Sequence, residues 1–340
     1  MKTPMRILVI TAVNYDCIKM FCQIRKLIKG LILQGHDVLE FNYVRALRAV
    51  SPFRSNGLSL KLYKHKADGM LIEQAVAYRP EVVIVTFAKG LDQRSLESLR
   101  EQVPNAVYVG HDDDPWPKLI PGKIDTARCL DIMLATNDSE WLTDYRDAGV
   151  RLCAFLPPCC DPDIDRRYEV GDEWKTDLLW IGALEHKADA RYALRRELVL
   201  KLAREENCRV YGCCGGPKVR GFDTLHAISG ARIAVNVNAC DGIRLGHSDR
   251  LTRFLAGGPL VLANRFPDCD LLYRDKEHLV YFECMDEFFE LSQWYLDHED
   301  ERKRIAQAGM LHVHAQFNCS RIAGYLMDIV EKGSYSAPWT

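Results

Sequence analysis

The sequence lacks a long hydrophobic run. Although 48% of its 340 residues are hydrophobic, no apolar stretch approaches the roughly 20 residues that a helix needs to cross a bilayer. The opening stretch MKTPMRILVITAV has a short apolar segment and no small-residue cleavage site for a secretory signal. We therefore expect neither a transmembrane segment nor a signal peptide.

Paired metal-binding cysteines are also absent. The thirteen cysteines include no C-x-x-C pair, and the adjacent pairs Cys159–Cys160 and Cys213–Cys214 suit neither tetrahedral zinc nor an easy disulfide. So many thiols fit a reducing compartment better than secretion. The expected location is the cytoplasm, with two narrower alternatives: the membrane periphery, or a host cell's cytoplasm if a phage encodes the chain.

Two nucleotide-binding motifs are missing as well. The sequence contains no G-x-G-x-x-G for a dinucleotide and no G-x-x-x-x-G-K-[ST] for a nucleoside triphosphate. It also has no internal sequence repeat and no low-complexity tract. These absences exclude the simplest dinucleotide and P-loop sites, as well as repeat architectures.

Strand and helix patterns alternate in the first half of the chain. Apolar, β-branched runs at 6–13, 36–43, 80–87, 106–110 and 131–136 predict buried strands. Segments with helical spacing lie between them, at 17–35, 67–78 and 92–102, and Gly35 stands where the first helix would end. This order is typical of a doubly wound parallel sheet.

The alternation restarts after a proline-rich, polar joint at 157–172. Strands are predicted at 177–183, 208–212, 231–238 and 259–264, and helices at 191–206, 249–258, 285–297, 299–315 and 319–332. The fold class is therefore α/β, with two Rossmann-like doubly wound domains in tandem.

Charge is unevenly distributed along the chain. The net charge is −2, but residues 1–66 hold twelve Lys/Arg against three Asp/Glu, and residues 67–150 hold eight against fifteen. A basic cluster of this kind can attract the phosphates of nucleic acid or of anionic lipids. It can equally be a set of solvated helix faces.

Ligands of open α/β sheets bind outside the carboxyl ends of the strands. In the first half that rule selects the stretch YVGHDDDPWP, residues 108–117, where three aspartates follow a predicted strand. They could ligate a metal ion, cap the turn before Pro115, or supply a base for an acceptor hydroxyl. Adjacent side chains point in different directions, which disfavours one ion bound by all three.

In the second half the rule selects GHSDR, residues 246–250, at the start of a predicted helix. Ser248 or Asp249 can cap this helix, whose free N–H groups and dipole favour an anion. Arg250 could add a fork of donors to a diphosphate. The plain alternative is a helix start with a solvent-exposed arginine.

His226 could reach a ligand base or could be a surface histidine.

A series of motifs resembles one family in its order and spacing. The motifs are NAVYVGHDDDP, DIMLATNDSEWLTDYRDAGV, LPPCCDP, DLLWIGAL, VYG, ARIAVNVN, GHSDRLTRFLAGGPLVLAN and ERKRIAQAGMLHVHAQFNCSRI. Together, over residues 80–335, they resemble CgeB-like (spore-maturation-protein-like) glycosyltransferases of the GT-B fold. The segment 249–325 is similar to the nucleotide-sugar domain of such enzymes.

This resemblance implies two domains that face a cleft and a last helix that crosses back to the first domain. The domains would span residues 1–160 for the acceptor and 161–318 for the nucleotide-sugar donor, with 319–340 packing back. Metal independence is implied too, with no cofactor other than the donor as co-substrate.

The resemblance also carries over individual residues. Gly182, Tyr211, Gly212 and Arg250 match family positions, whereas Arg253 stands where the family helix often has a glutamate. Asp249 could substitute for that glutamate, although its side chain is shorter. The full expected donor set is Gly182, Arg191, Tyr211, Gly212, His226, His247, Ser248, Asp249, Arg250 and Arg253. The expected acceptor set is Asn14, Tyr15, Lys89 and His111.

The expected reaction is transfer of a hexosyl or pentosyl group from a nucleoside diphosphate sugar to an acceptor hydroxyl. Among Asp112, Asp113 and Asp114, Asp113 is the expected base. The acceptor is expected to be anionic, either a modified DNA base or a membrane-surface glycolipid or polysaccharide. Two alternatives stay open: a non-catalytic scaffold that binds nucleotide sugars, and a sugar-nucleotide epimerase.

Overall fold

The computed structural model describes residues 3–13, 22–53, 56–86, 90–113, 121–138, 140–184, 193–238 and 242–340. The chain divides into two compact units: residues 1–157 with 319–336, and residues 158–318 with 337–340. The last long helix thus belongs to the first unit.

The first unit is built on a six-stranded parallel sheet in the order β2-β1-β3-β4-β5-β6. Its strands are β1 Arg6–Thr11, β2 Asp37–Asn42, β3 Val82–Val85, β4 Val107–Asp112, β5 Ile132–Ala135 and β6 Leu152–Phe155. Its helices are α1 Gln23–Leu33, α2 Tyr43–Val50, α3 Asn56–Tyr78, α4 Gln93–Gln102, α5 Pro121–Ala127, α6 Glu140–Asp147 and α13 Cys319–Lys332.

Both faces of this sheet are buried. Leu8 and Ile10 of β1 join a core with residues of α2 to α6, while Ile7 and Val9, which alternation directs to the opposite face, are equally inaccessible. Burial on both faces explains why the strand sequences are continuously apolar.

The second unit repeats this topology with five parallel strands in the order β11-β10-β9-β7-β8. Its strands are β7 Thr176–Ile181, β8 Cys208–Tyr211, β9 Ala231–Asn236, β10 Leu260–Asn264 and β11 Val280–Phe282. Its helices are α7 Ala193–Leu202, α8 Phe222–Gly230, α9 Asp249–Gly257, α10 Cys269–Leu272, α11 Met285–Asp297 and α12 Glu299–Gln316, and a 3-10 turn spans Asp172–Trp174.

The two sheets confirm the prediction of two doubly wound α/β domains. In each, the chain turns to one side after its first strand and then crosses to the other side, so each sheet has a topological switch point. The switch lies between β1 and β3 in the first unit and between β7 and β9 in the second. Of the helices in the described ranges, none is both long and apolar enough to cross a membrane.

The last helix, α13, packs against α1. Gly30 of α1 allows the close approach, because a Cβ built there would lie 2.0 Å from the carbonyl oxygen of Cys319. Gln34 then ties the end of α1 to the start of α13 by donating to the carbonyl oxygen of Ser320 at 2.9 Å. The backbones of α1 and α13 are therefore in direct contact at Gly30 and Cys319, and this contact attaches the last helix to the first unit.

We predict that Gly30→Ala lowers the melting temperature of the protein. The added methyl group has no room against the α13 backbone, and overpacking of this kind costs about 1–3 kcal/mol. Gly69→Ala is the matched control, since Gly69 lies in α3 with nothing within 4 Å of the added Cβ, where alanine favours a helix by up to about 1 kcal/mol. Equal melting temperatures for Gly30→Ala and wild type would show that the contact is not tight.

Candidate functional site

The candidate donor site lies at the switch point of the second unit, where the carboxyl ends of β7 and β9 diverge. Open α/β sheets bind ligands in this crevice. β7 ends at Ile181 and β9 at Asn236, and the two strands are neighbours in the sheet. The helix that follows β9, α9, begins at Asp249.

Arg250, in the first turn of α9, bridges the two strand ends. Its Nη1 donates to the carbonyl oxygen of Ile181 at 3.3 Å, and its Nη2 donates to the carbonyl oxygen of Val237 at 2.7 Å. Its Nε donates to Oδ1 of Asn236 at 3.0 Å. The sequence suggested a fork of donors aimed at a diphosphate. In the structure, three N–H groups of that fork hold the strand ends, because the carbonyl oxygens there have no further strand to bind.

Trp180 forms a floor for this guanidinium. The Trp180 side chain is fully buried, with the Arg250 guanidinium carbon 4.5 Å from its ring centre and that of Arg195 at 5.3 Å. Arg195 also donates to the carbonyl oxygen of Ala183 at 2.7 Å. Two cations therefore gather around one aromatic ring at the carboxyl end of β7, which makes this edge electropositive.

Gly182 and Gly212 keep the crevice narrow. A Cβ on Gly182 would lie 2.7 Å from Nη1 of Arg250, and one on Gly212 would lie 3.1 Å from the carbonyl oxygen of Gly182. Gly212 also has a φ of +89°, a conformation that favours glycine. Tyr211 is buried, and its carbonyl oxygen accepts from the N–H of Gly182 at 3.0 Å. The predicted Gly182, Tyr211 and Gly212 thus converge at the ends of β7 and β8.

The amino end of α9 is open. Ser248 occupies the N-cap position with extended backbone angles, but its side chain makes no capping hydrogen bond, and the residue is exposed. Asp249 instead pairs with Arg253, Oδ2 to Nη2 at 2.8 Å. Because the Ser248 side chain does not cap the helix, it leaves the first backbone N–H groups available to an anion.

Arg253 stands where the resembled family often has a glutamate. Besides its pair with Asp249, its Nε lies 3.9 Å from Oδ1 of Asp165, a fully buried residue. A carboxylate at this position would face two other carboxylates and repel both. The arginine is therefore consistent with its local charges, although its role toward a donor stays a prediction.

His247 is a buried core histidine. Its Nδ1 lies 3.2 Å from the carbonyl oxygen of Leu245, so this nitrogen is the donor, and its Nε2 accepts from the Tyr273 hydroxyl at 3.2 Å. Burial lowers the pKa of His247 to about 4, which leaves the ring neutral near pH 7. Through these two hydrogen bonds His247 holds the loop before α9 against Tyr273 in the core.

His226 packs against aromatic residues on the flank of α8. Its ring centre lies 5.9 Å from that of Tyr168 and 5.7 Å from that of Trp174. Trp174 belongs to the 3-10 turn before β7, at the amino end of that strand, which is the end opposite to the crevice. Contact between His226 and a nucleotide base stays a prediction that this packing does not favour. Arg191, also predicted for the donor, lies outside the described residues.

Three asparagines at the same sheet edge were missed by the sequence analysis. The N–H of Asn238 donates to Oδ1 of Asn264 at 2.8 Å, and the Asn238 amide donates to the carbonyl oxygen of Gly246 at 3.1 Å. Asn236, fully buried, holds Arg250. Each of the three asparagines ends or follows an apolar strand. This repeated position of asparagine at strand ends is the sequence signal that could have identified them.

In the first unit, Asp112 is a buried structural carboxylate. It ends β4, and both of its oxygens lie 2.8 Å from Nζ of Lys123 in α5. The Tyr145 hydroxyl of α6 donates to Oδ2 at 3.1 Å. Asp112 therefore neutralises Lys123 and joins two helices to the sheet.

Asp113, the next residue, is exposed. Its charge acts on the thiol of Cys22, the N-cap of α1: burial first, and then the negative charges of Asp113 and Glu40, raise the pKa of Cys22. Asp113 thus lies within electrostatic range of Cys22 at the start of α1. Glu40 was not predicted; its Oε1 accepts from the Thr11 hydroxyl at 2.7 Å at the end of β1. Asp114 lies outside the described residues.

His111 is buried below this edge. It is 5% exposed, its Nδ1 has no hydrogen-bond partner among the residues that the structure describes, and burial lowers its pKa despite the nearby Asp113 and Asp112. A neutral ring with an unpaired nitrogen can accept or donate one bond, although it is set back from the surface. The other predicted acceptor residues, Asn14, Tyr15 and Lys89, fall in gaps of the described ranges.

Metal ligation is not apparent in the described part of the chain. Within it, no three His, Cys, Asp or Glu side chains converge in a way that could hold an ion. Since Asp114 is not included, metal independence stays a prediction.

A family model described as Glycosyl transferase-like matches residues 191–328. The matched segment includes Tyr211, Gly212 and all of α9, but not β7 or Gly182 on the other side of the crevice. Most of the second unit is therefore similar to this family, and the match continues into α13. No curated protein sequence matches this chain at a significant level.

Solved structures share the fold over nearly the whole chain. An alpha-glucosyltransferase bound to UDP and a 13-mer DNA containing an HMU base has a TM-score of 0.67 at 11% identity, over 97% of this chain and 100% of that one. HepE from Anabaena, bound to UDP and glucose, has a TM-score of 0.60 at 11% identity, covering 96% and 99%. Sucrose-phosphate synthase from Thermosynechococcus elongatus has a TM-score of 0.63 at 11% identity, covering 96% and 98%.

This likeness shows the fold. The chain has the two Rossmann-like domains of GT-B glycosyltransferases, as the sequence predicted. The narrower resemblance to CgeB-like enzymes stays a prediction.

We predict that Asp112→Asn destabilises the protein, whereas Asp113→Asn does not. Removing the Asp112 charge leaves the half-buried Lys123 without this counter-ion and the Tyr145 hydroxyl without a charged acceptor. Breaking a fully buried pair costs about 3–5 kcal/mol, and the partial exposure of Lys123 makes the expected loss smaller than that. Asp172→Asn is a second control, because its pair with Lys175 is exposed. Thermal or urea unfolding of the three variants measures the difference. If Asp112→Asn and Asp113→Asn lost the same amount of stability, Asp112 would have no special structural role relative to Asp113.

Proposed function

We propose that this protein is a glycosyltransferase that moves a hexosyl or pentosyl group from a nucleoside diphosphate sugar to an acceptor hydroxyl without a metal ion. The second unit would bind the donor and the first unit the acceptor. The observation that supports this most is the switch-point crevice of the second unit, whose Tyr211, Gly212 and α9 lie within the segment matched by the glycosyl transferase-like family model.

The crevice has the properties that a diphosphate needs. The open amino end of α9 offers backbone N–H groups and the positive end of a helix dipole. The guanidinium of Arg250 adds a full charge, held in place by its bonds to Ile181, Val237 and Asn236. The missing Cβ atoms of Gly182 and Gly212 let this guanidinium and the ends of β7 and β8 pack closely together. Related folds that were solved with UDP support a uridine donor in particular.

During transfer, the bond between the sugar's anomeric carbon and the diphosphate oxygen breaks, and negative charge develops on the leaving nucleotide. A fixed cation and oriented N–H groups stabilise that charge without reorganising, which lowers the barrier. Arg250 suits this role because its position is set by the protein and does not depend on the ligand.

On the acceptor side, Asp113 is our candidate base. It is exposed at the carboxyl end of β4, whereas its neighbour Asp112 is occupied by Lys123 and Tyr145. Asp113 would accept the proton of the acceptor hydroxyl as that oxygen bonds to the anomeric carbon, a contribution of about 10²–10⁴-fold in rate.

The acceptor, in this proposal, is anionic. Residues 1–66 carry twelve Lys/Arg and three Asp/Glu, and such an excess of positive charge favours phosphate-bearing partners. The alpha-glucosyltransferase with a similar fold was solved with DNA, which supports a modified DNA base as one form. A glycolipid or polysaccharide at a membrane surface is the other.

We expect UDP to raise the melting temperature of the wild-type protein and of Asp113→Asn equally. A ligand that binds only the folded state stabilises it by about 2.7 kcal/mol at 100 times its Kd. In the presence of a UDP-sugar and no added acceptor, we expect slow release of UDP by wild type and release at least ten-fold slower by Asp113→Asn, because water then takes the acceptor's place. Asp125→Asn, an exposed carboxylate in α5, is the control for a general charge effect.

Each outcome decides between functions. If no nucleoside diphosphate raises the melting temperature, the protein is not a donor-binding transferase. Binding without any UDP release from any UDP-sugar would favour the non-catalytic scaffold, and conversion of the donor's sugar without release of UDP would favour the epimerase. Release by Asp113→Asn at the wild-type rate would remove Asp113 as the base and leave donor binding intact.

A further inference from the structure

The outward face of the first turns of α3 is both basic and apolar. The exposed residues there are Leu58, Lys61, Leu62, His65 and Lys66, and their spacing of three and four positions places them on one side of the helix. Phe53, just before the helix, is also exposed. We call this set the α3 face: Phe53, Leu58, Lys61, Leu62, His65 and Lys66.

Its apolar members face solvent while the core is formed by the opposite side of the helix. Leu58 is 40% exposed, Leu62 is 47% exposed and Phe53 is 37% exposed, whereas Ala67 and Leu71 are buried in the core. Two leucines and a phenylalanine are thus partly exposed and close together on the outside of the unit, and a cluster of this kind favours a binding surface.

The face is held in a fixed shape. The Phe53 ring meets the Tyr63 ring edge-on at 6.0 Å between centres, and the Ser51 and Ser59 hydroxyls are hydrogen-bonded at 2.8 Å. Lys66 lies over the same Tyr63 ring at 5.5 Å. The segment before the helix is therefore attached to its first turns, and the apolar and basic groups stay side by side.

The chain segment that forms this face is basic. Residues 41–67 contain six Lys/Arg and no Asp or Glu. Lys64 is neutralised internally by Asp68 and Asp92, at 2.7 and 3.1 Å, but Lys61 and Lys66 are exposed on the face. Arg45 and Arg48 are exposed on α2, which packs against α3. This local excess of positive charge favours an anionic partner.

We propose that the α3 face binds the surface of an anionic lipid bilayer. Apolar side chains on such a face enter the boundary between head groups and acyl chains, and flanking cations bind anionic head groups. Duplex DNA would use the cations but would leave the two leucines and Phe53 against water or phosphate. The protein would lie on the membrane, since no described helix is long and apolar enough to cross it.

This binding does not depend on the proposed transferase reaction, although it would bring the acceptor edge of the first unit to a membrane. α2 begins at Tyr43, directly after β2 ends at Asn42, so the α3 face adjoins the helix that starts at the carboxyl edge of the sheet. A bilayer at this face would present a membrane-surface acceptor beside that edge.

The test is co-sedimentation of the full-length protein with vesicles of phosphatidylcholine, with and without phosphatidylserine. We expect binding to the vesicles that contain phosphatidylserine, weakened by salt. Lys61→Glu/Lys66→Glu should lower the partition coefficient at least about five-fold per cation removed. Leu58→Ser/Leu62→Ser should lower it by at least about ten-fold through lost apolar contact. Circular dichroism and melting temperature of each variant show that it is folded.

Val76→Ser is the matched control. Val76 is 45% exposed on the same helix, but it lies ten residues beyond Lys66, about 15 Å along the axis, so its loss should leave vesicle binding unchanged. Three results would overturn the proposal: no binding to either vesicle type, equal loss for Val76→Ser and Leu58→Ser/Leu62→Ser, or salt-sensitive binding to duplex DNA with none to vesicles. The last result would identify the face as a nucleic-acid surface. UDP-induced stabilisation, measured on the same variants, reports separately on the donor site.

Discussion

The hydrogen bonds of Arg250 to the ends of β7 and β9 are the interaction on which the candidate donor site depends. A parallel sheet leaves main-chain carbonyl oxygens unpaired where two strands diverge, and this guanidinium binds them at 2.7 and 3.3 Å. In doing so it fixes the first turn of α9 relative to the sheet and places a cation over Trp180. Gly182 has to be a glycine because Nη1 of Arg250 occupies the space beside it. One residue thus sets the shape and the charge of the crevice.

Much of this arrangement could be predicted from the sequence, because buried parallel strands are continuously apolar and ligand loops follow them. Prediction from hydrophobic patterns failed where a helix or strand has no continuous or periodic run of buried side chains. Residues 56–66 form the start of α3, but Leu58 and Leu62 face outward, so no apolar stripe marks this part of the helix. β11 is only three residues long, which is too short for a pattern. The partners of Arg250 are mainly carbonyl oxygens, which have no side-chain signature.

The aspartates of the HDDDP motif show how adjacent identical residues acquire different roles. Strand alternation points Asp112 toward α5 and α6, where Lys123 and Tyr145 bind it, and the next residue then lies exposed, within electrostatic range of the start of α1. Sequence alone could not assign the roles, since Lys123 is eleven positions and Tyr145 thirty-three positions away. The same holds for Arg253, whose charge makes sense only beside Asp249 and Asp165.

The most direct test of this account is a crystal structure of the protein with UDP. The account predicts that the diphosphate oxygens lie within hydrogen-bond distance of the backbone N–H groups of Asp249 or Arg250, at the crevice between Gly182 and α9, with the bonds of Arg250 to Ile181 and Val237 intact. A diphosphate bound elsewhere, or an Arg250 side chain that leaves the strand ends to reach it, would contradict the central role given to this residue.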